Sequence, residues 1–276
     1  MEIIKLHLKD RFPFLAENGK DPTLTAYLQD HVGDREIIRP CLVVCPGGGY
    51  GNVAPREAEP VAMDFLTTGF QVFVLTYSIA PHGYPTQLRE VAAVMELLHE
   101  NAAAWRCDPQ KIALMGFSAG GHLAAHYANS YDSDAVRQVF PNSKPVQASV
   151  LCYPVISVDP KFTHYNTVRR LTGCEPEDLK NPELFSCDKL VTKHTPPAFL
   201  WHTEQDELVP VMNSHLYAQA LKDNGIAHEL YIYPKGKHGL ATVDFKTCKA
   251  LTPEVSVARQ WVSEARRWLT DTLHFG

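Results

Sequence analysis

The sequence predicts an α/β fold, with a mostly parallel central sheet of about eight strands and helices on both of its faces. Near-continuous apolar runs such as FQVFVLTYS (70–78) are typical of parallel strands that are buried on both sides. Between such runs lie amphipathic helical patterns, as in 85–105, where apolar residues recur three and four positions apart. This alternation of strands and helices favours a parallel sheet.

The predicted sheet opens with two antiparallel strands, because polar and apolar residues alternate at 4–8 and again at 24–28. The denser apolar runs that follow predict its parallel strands, at IIRPCLVVCP (37–46), FQVFVLTYS (70–78), KIALMGF (111–117), VQASVLCYPVIS (146–157), PPAFLWHT (196–203) and HELYIYP (228–234).

Helical patterns lie between and after these strands, at 85–105, 122–130, 211–225 and 253–273. The last pattern predicts an apolar stripe that packs on the core, formed by Val257, Trp261, Ala265, Trp268 and Leu269.

One segment, residues 157–197, interrupts the alternation of strands and helices, and we call it the insert. It is polar, contains proline, and predicts short helices over the upper edge of the sheet. Two interpretations fit this segment equally well, a lid or binding loop and an ordinary surface loop. The chain of 276 residues has a length that α/β folds fill as one unit, so we expect a single domain over 1–276.

The charge balance argues against a nucleic-acid or membrane partner. The formal net charge is −5, and no basic cluster is longer than the pair Arg266-Arg267, whereas nucleic-acid binding needs a basic face.

The longest apolar runs fall short of the roughly 18 residues that a membrane-spanning helix needs. The first residues alternate in polarity and include Glu2, unlike a signal peptide, so we expect a cytoplasmic protein.

The seven cysteines are an odd number and lie far apart in the sequence. No C-x-x-C pair or Cys/His knuckle is present, which argues against a structural zinc site. We expect mostly buried free thiols in a reducing compartment. No residue indicates the oligomeric state, and a homodimer stays open.

The stretch GFSAGG (116–121) lies between a predicted strand and a predicted helix. The pattern G-x-S-x-G at such a junction is the nucleophile elbow, a strained turn that lifts the serine hydroxyl above the sheet. A phosphate-binding loop is the competing interpretation, but neither this stretch nor CPGGGYGN (45–52) has the lysine of a P-loop. Ser118 is therefore the candidate nucleophile.

Acyl transfer also needs backbone N–H donors for the oxyanion. PGGG (46–49) follows the third predicted strand, where such donors arise, and we select the N–H groups of Gly48 and Gly49. Ala119, directly after the nucleophile, supplies a third N–H. A simple tight turn is the alternative for the glycines.

A serine nucleophile needs a base, and the base needs an acid that orients it. His238 lies in a glycine-bearing loop after the last predicted strand, and Asp206 lies just beyond the preceding one. Glu204 and Glu207 are rival acids, but the shorter side chain just past the strand end fits better. The rival histidine His122, one helical turn after the serine, is expected to pack or cap instead. We predict a triad in the chain order serine, aspartate, histidine.

These stretches together resemble the esterase/lipase branch of the α/β-hydrolases, and within it bacterial carbohydrate esterases of the acetyl-xylan-esterase and feruloyl-esterase-related type. One position departs from many relatives, since Pro46 stands where they carry a histidine before the glycines. The stretches that carry the resemblance are PGGGY (46–50), REAEPVA (56–62), YSIAP (77–81), GFSAGGHLAA (116–125), HTEQDELVP (202–210) and KHG (237–239).

The resemblance implies hydrolysis of a carboxylic ester without metal or cofactor, with sugar acetates among the candidate substrates. The insert is small for a lid over long-chain lipids, which favours short acyl groups and a small-molecule ester as the partner. Two other functions stay open: a serine peptidase of the prolyl-oligopeptidase type, and a non-enzymatic ligand-binding protein on a hydrolase scaffold.

Overall fold

The strands of the sheet coincide with the apolar runs of the sequence. A computed structural model describes residues 1–19 and 21–276 of the chain. Within those residues the strands are β1 (Glu2–His7), β2 (Thr23–Leu28), β3 (Arg39–Cys45), β4 (Gln71–Thr76), β5 (Cys107–Phe117), β6 (Ala148–Cys152), β7 (Ala198–Thr203) and β8 (His228–Tyr233).

These strands form one eight-stranded sheet in the order β1-β2-β4-β3-β5-β6-β7-β8. The pairs β1–β2 and β2–β4 are antiparallel, and every later pair is parallel. This topology confirms the predicted mostly parallel sheet that opens with antiparallel strands. The carboxyl ends of β3, β5, β7 and β8 therefore meet at one edge, where the loops that follow them can share a site.

Helices cover the sheet, and the longer ones lie where helical patterns predict them. The α-helices in the described residues are α1 (Leu8–Arg11), α2 (Glu59–Leu66), α3 (Thr86–Glu100), α4 (Ala119–Ser130), α5 (Asp134–Arg137), α6 (Tyr165–Thr172), α7 (Met212–Asp223), α8 (Pro253–Ser256) and α9 (Gln260–Leu273). Helix α2 is absent from the predicted elements, because its eight residues show too few turns for a clear 3.6-residue period.

The core has two layers, one on each face of the sheet. Alternate residues of β3 point to opposite sides, so that Leu42 and Val44 pack with α2 and α9, while Cys41 and Val43 pack with α3 and α4. This arrangement confirms helices on both faces. Val257 departs from the predicted apolar stripe of the last helix, because it lies in a 3-10 turn before α9 and is 45% exposed.

The insert contains α6 and three 3-10 turns, at Pro176–Asp178, Pro182–Leu184 and Cys187–Lys189. The amide oxygen Oδ1 of Asn213, at the start of α7, accepts hydrogen bonds from the N–H groups of Ile156 and Ser157 where the insert begins. Short helices over the sheet edge thus follow the prediction, whereas movement of the insert as a lid stays a prediction. In the described part of the chain no helix combines the length and the apolar character that crossing a membrane requires.

Candidate active site

Ser118 occupies the sharp turn between β5 and α4. Its backbone has φ 55° and ψ −118°, a conformation that L residues rarely adopt and that is typical of a strained functional turn. The turn is possible because small residues flank it: a Cβ built on Gly120 would lie 2.1 Å from the carbonyl oxygen of Cys45. The Ser118 N–H donates to the carbonyl of Cys152, 3.0 Å away, which fixes the turn to β6.

The structure brings the three predicted triad side chains together. The Ser118 hydroxyl donates to Nε2 of His238 at 2.8 Å, and Nδ1–H of His238 donates to Oδ2 of Asp206 at 2.6 Å. The histidine side chain is 12% exposed and that of the aspartate 1%. The bonds run from a buried carboxylate through the imidazole to the hydroxyl, which is the arrangement that raises the nucleophilicity of a serine.

The carboxylate of Asp206 is held at both oxygens. Oδ1 accepts from the N–H groups of Leu208 and Val209 at 3.0 and 2.9 Å, and Oδ2 lies 3.3 Å from Nε2 of His202 in addition to its bond with His238. Burial raises the pKa of the Asp206 carboxyl, but the hydrogen bonds from the two histidines and from Val209 outweigh it and lower that pKa below its ordinary value. The carboxylate therefore stays ionised at neutral pH.

His202 is a core histidine that also touches the acid. It is fully buried, and its Nε2 lies 2.9 Å from the carbonyl oxygen of Val209 while Nδ1 lies 2.8 Å from the hydroxyl of Ser214. Nε2 must carry the proton because its neighbours are acceptors, so this ring presents an N–H to Asp206. The sequence gives no periodic or motif signal for that contact. Glu204 and Glu207, the rival acids, are exposed.

The loop of residues 46–52, which we call the glycine loop, lies against the nucleophile. A Cβ built on Gly47 would come within 2.9 Å of the Cβ of Ser118. Gly48 has φ 130° and Gly49 φ 60°, values that favour glycine. Within the described residues, the N–H groups of Gly48, Gly49 and Ala119 make no hydrogen bond. All three remain candidate oxyanion donors.

A buried carboxylate ties the glycine loop to the histidine loop. Glu57 is 1% exposed, and its Oε2 accepts from the N–H of Gly47 at 2.7 Å. Its Oε1 accepts from the hydroxyl of Tyr153 at 2.9 Å, and that hydroxyl in turn accepts from the N–H of Ala241. The tyrosine ring packs edge-on against the ring of His238, with centroids 5.0 Å apart. Sequence reasoning missed Glu57 and Tyr153 as site residues, although Glu57 lies inside REAEPVA.

A second set of buried hydrogen bonds links the glycine loop to the insert. The Tyr50 hydroxyl lies 3.0 Å from Nδ1 of His122, whose Nε2 lies 2.8 Å from the carbonyl oxygen of Phe185 in the insert. Burial lowers the pKa of His122 to about 4, although the carbonyl of Phe185 acts in the opposite direction. The neutral ring donates from Nε2 and accepts the tyrosine proton at Nδ1. His122 is thus a packed support rather than a base near Ser118.

The insert reaches the site through α6. Nη1 of Arg170 donates to the carbonyl oxygen of Gly49 at 3.2 Å. His164 and Thr167, whose side chains are 2.7 Å apart, lie close enough that a Cβ on Gly49 would contact both. The pKa of His164 is lowered by burial and then by the charges of His238 and Arg170. The insert therefore packs against the glycine loop, which carries two of the candidate oxyanion donors.

The described residues contain no group of three or more His, Cys, Asp or Glu side chains placed to hold a metal ion. All seven cysteines are free thiols, and five of them are buried. The absence of a metal or cofactor in the reaction stays a prediction.

Comparison with known proteins gives a family match. The BD-FAE family profile matches residues 27–221. Endo-1,4-beta-xylanase B of Butyrivibrio fibrisolvens is 35% identical over 246 residues, which cover 86% of this chain and 37% of that protein. Acetylxylan esterase of Xylanibacter ruminicola is 32% identical over 232 residues, 82% of this chain and 45% of that protein. The chain thus spans less than half the length of these curated relatives.

Solved structures match along the whole chain. An acetyl ester-xyloside bifunctional hydrolase from Caldicellulosiruptor lactoaceticus has a TM-score of 0.84 and 32% identity, covering 99% of this chain and 97% of that one. The carboxylesterase Cest-2923 from Lactobacillus plantarum has a TM-score of 0.85 and 28% identity, covering 100% and 99%. These likenesses confirm the predicted α/β-hydrolase fold and the resemblance to carbohydrate esterases.

Proposed function

Because the chain belongs to the BD-FAE family, we propose that it is a serine esterase that cleaves short-chain carboxylic esters, acetyl groups on carbohydrates among them. The observation that carries this proposal is the continuous hydrogen-bonded chain from Asp206 through His238 to Ser118, at 2.6 and 2.8 Å. The names of the relatives, an acetylxylan esterase and an acetyl ester-xyloside hydrolase, support the choice of acetyl esters.

The proposed reaction assigns one role to each of the three side chains. His238 takes the Ser118 proton at Nε2 while Oγ attacks the ester carbonyl, and the carboxylate of Asp206 stabilises the imidazolium that forms. The carbonyl oxygen becomes an oxyanion and accepts from the N–H groups of Gly48, Gly49 and Ala119. His238 then gives its proton to the leaving alcohol, and the same ring activates the water that releases the acid from the acyl-enzyme.

The packing of the insert against the glycine loop supports a preference for small acyl groups. Arg170 bonds to the carbonyl of Gly49, one of the proposed donors, and Thr167 lies beside it. A long acyl chain would have to displace these side chains. We therefore expect rates on p-nitrophenyl esters to fall from acetyl to butyryl to octanoyl.

The free thiols support a cytoplasmic setting. Disulfides are rare in reducing compartments. The five buried cysteines are free thiols, and buried thiols pack as small apolar groups without a disulfide partner. The oligomeric state stays a prediction.

Substitution of the nucleophile tests the proposal directly. We expect Ser118→Ala to lower kcat on p-nitrophenyl acetate by roughly 10⁶, as loss of a triad serine does elsewhere. Ser263→Ala, on the exposed face of α9, is the matched control and should keep the wild-type rate. A fluorophosphonate should label the wild type and not Ser118→Ala.

Each alternative function has its own outcome in these assays. An unchanged rate in Ser118→Ala contradicts the serine mechanism, and the absence of fluorophosphonate labelling in the wild type supports a ligand-binding protein instead. Faster turnover of a Xaa-Pro amide than of any ester favours a peptidase. Assays on acetylated xylo-oligosaccharides then decide whether sugar acetates are substrates.

A further inference from the structure

A cavity of about 460 Å³ lies beside His238, and the permanently charged side chains in its lining are all cationic. These are Arg56, Lys237 and Lys249, accompanied by the polar Gln205 and Thr247. The chain as a whole carries 31 acidic and 26 basic residues, so a lining without an acidic side chain is opposite in sign to the net charge.

Arg56 is held in place at the edge of this cavity. Its Nε donates to the carbonyl oxygen of Gly239 at 2.8 Å, and a Cβ built on Gly239 would lie 2.3 Å from Nη2. The nearest carboxylate oxygen, Oε1 of Glu57, is 3.7 Å away and already accepts a hydrogen bond from Tyr153. That carboxylate balances one of three cations. Within the described residues, Lys237 and Lys249 have no carboxylate within 4.0 Å.

The position of the cavity relates it to the leaving group. In the proposed reaction, His238 gives its proton to the departing alcohol, so the alcohol part of the ester lies next to this ring. His238 is also one of the residues that line the cavity. The room beside it is thus placed to receive the part of the substrate that extends from the ester oxygen.

We propose that this cavity binds an anionic group, a carboxylate or a phosphate, on the alcohol part of the ester. This inference rests on the proposed esterase function and narrows its substrate class to acyl esters of negatively charged alcohols. Clustered cations at the mouth of a site attract an anionic substrate and raise its local concentration. The contribution is screened by salt, because the Debye length is about 10 Å at 0.1 M and about 3 Å at 1 M.

A matched pair of esters tests the proposal. 4-Acetoxybenzoate and its neutral methyl ester, methyl 4-acetoxybenzoate, release the same acetyl group and differ in the charge of the alcohol part. We expect the ratio of kcat/KM, anionic over neutral, to fall roughly tenfold in the double variant Lys237→Glu/Lys249→Glu. In the wild type the ratio should also fall when salt is raised to 1 M.

The control reverses a charge elsewhere on the surface. Lys222 lies at the carboxyl end of α7, is exposed and does not line the cavity, so Lys222→Glu should leave the ratio unchanged. 4-Acetoxyphenyl phosphate, compared with its neutral dimethyl ester, distinguishes a phosphate site from a carboxylate site. A larger effect of the lysine reversals on one anion identifies it as the preferred group.

The failure of this inference differs from the failure of the esterase function. A ratio that is the same in wild type, double variant and control, and insensitive to salt, overturns the anion site while hydrolysis of the neutral ester keeps the esterase standing. If folded wild-type protein hydrolyses neither ester, the esterase function and the anion site are both overturned.

Discussion

Two histidines, His238 and His122, lie near Ser118, and their surroundings differ in one respect. Each has both ring nitrogens in hydrogen bonds: His238 with Ser118 and Asp206, His122 with Tyr50 and the carbonyl of Phe185. The first therefore has an ionised partner, whereas the second has neutral ones. His122 is also 1% exposed, and burial lowers its pKa to about 4.

The difference fits the proposed roles of the two rings, a base for His238 and a structural support for His122. A ring beside a carboxylate can become an imidazolium during turnover, because the negative charge stabilises it. A fully buried ring between a phenol and a carbonyl has no charged partner, so burial favours its neutral form, which accepts the phenol proton at Nδ1. The proposed mechanism assigns proton transfer to His238, whereas the hydrogen bonds of His122 link the glycine loop to the insert.

Removal of the carboxylate beside His238 should give the largest effect. Asp206→Asn keeps the shape of the side chain but removes the charge that orients and stabilises the imidazole. We expect kcat on p-nitrophenyl acetate to fall by roughly 10⁴, with the fluorophosphonate label much slower to react. Glu207→Gln, which alters an exposed neighbour, serves as the control. A loss below tenfold in Asp206→Asn would show that His238 does not depend on this carboxylate.

The His238 side could be predicted from sequence because its signals are local. Ser118 lies at a strand–helix junction with small neighbours, and Asp206 and His238 each follow a strand of the predicted sheet. Carboxyl ends of neighbouring parallel strands meet at one edge, so strand order alone brings these side chains near each other. The structure adds the hydrogen bonds between these three side chains, which the sequence could not supply.

The support side could not be predicted, because its contacts depend on packing between distant segments. Glu57 meets the glycine loop only through a turn after β3, and His122 meets Tyr50 across 72 positions and Phe185 across 63. No periodicity encodes such pairs. The sequence shows Glu57 only as one of two glutamates in REAEPVA. Without the fold, it is indistinguishable from an exposed charge at the start of a helix.

Substitution of Glu57 tests whether the support affects the chemistry. Glu57→Gln retains an oxygen for one of the two donors, Gly47 N–H or Tyr153 hydroxyl, and places an amide beside the other. We expect kcat to fall by about 10² with little change in KM, because a small displacement of the glycine loop misplaces the oxyanion donors. Glu59→Gln, two residues on and exposed, is the control. A rise in KM with kcat intact contradicts a role in the transition state.

The buried neutral state of His122 predicts a dependence of stability on pH. Its pKa of about 4 in the folded protein lies below the unfolded value of 6.5. Between these two pH values, the imidazole is protonated in the unfolded chain and neutral in the folded one. Stability from this ring is complete above pH 6.5 and is lost as the pH falls toward 4. Between pH 7 and 4.5 the wild type should lose about 2 kcal/mol of unfolding free energy through this group.

Urea unfolding of wild type and His122→Gln at the two pH values isolates that group. The variant has no imidazole at position 122, so its loss between pH 7 and 4.5 should be smaller than that of the wild type by the same amount, about 2 kcal/mol. Equal losses in the two proteins would show that folding does not lower the pKa of His122. The distinction between the two histidines would then fail.

Substitution of Tyr50 tests whether its hydrogen bond to His122 affects catalysis, and we expect the smallest effect here. Tyr50→Phe removes the donor to Nδ1 of His122 and leaves that buried nitrogen without a partner, which costs about 1–3 kcal/mol of stability. Because Tyr50 also ends the run of glycines that carries the proposed oxyanion donors, we expect kcat to fall roughly tenfold as well. Tyr127→Phe removes an equally buried hydroxyl, bonded to the carbonyl of Lys144. It should lose stability without losing kcat, and equal kcat in both variants would assign Tyr50 a purely structural role.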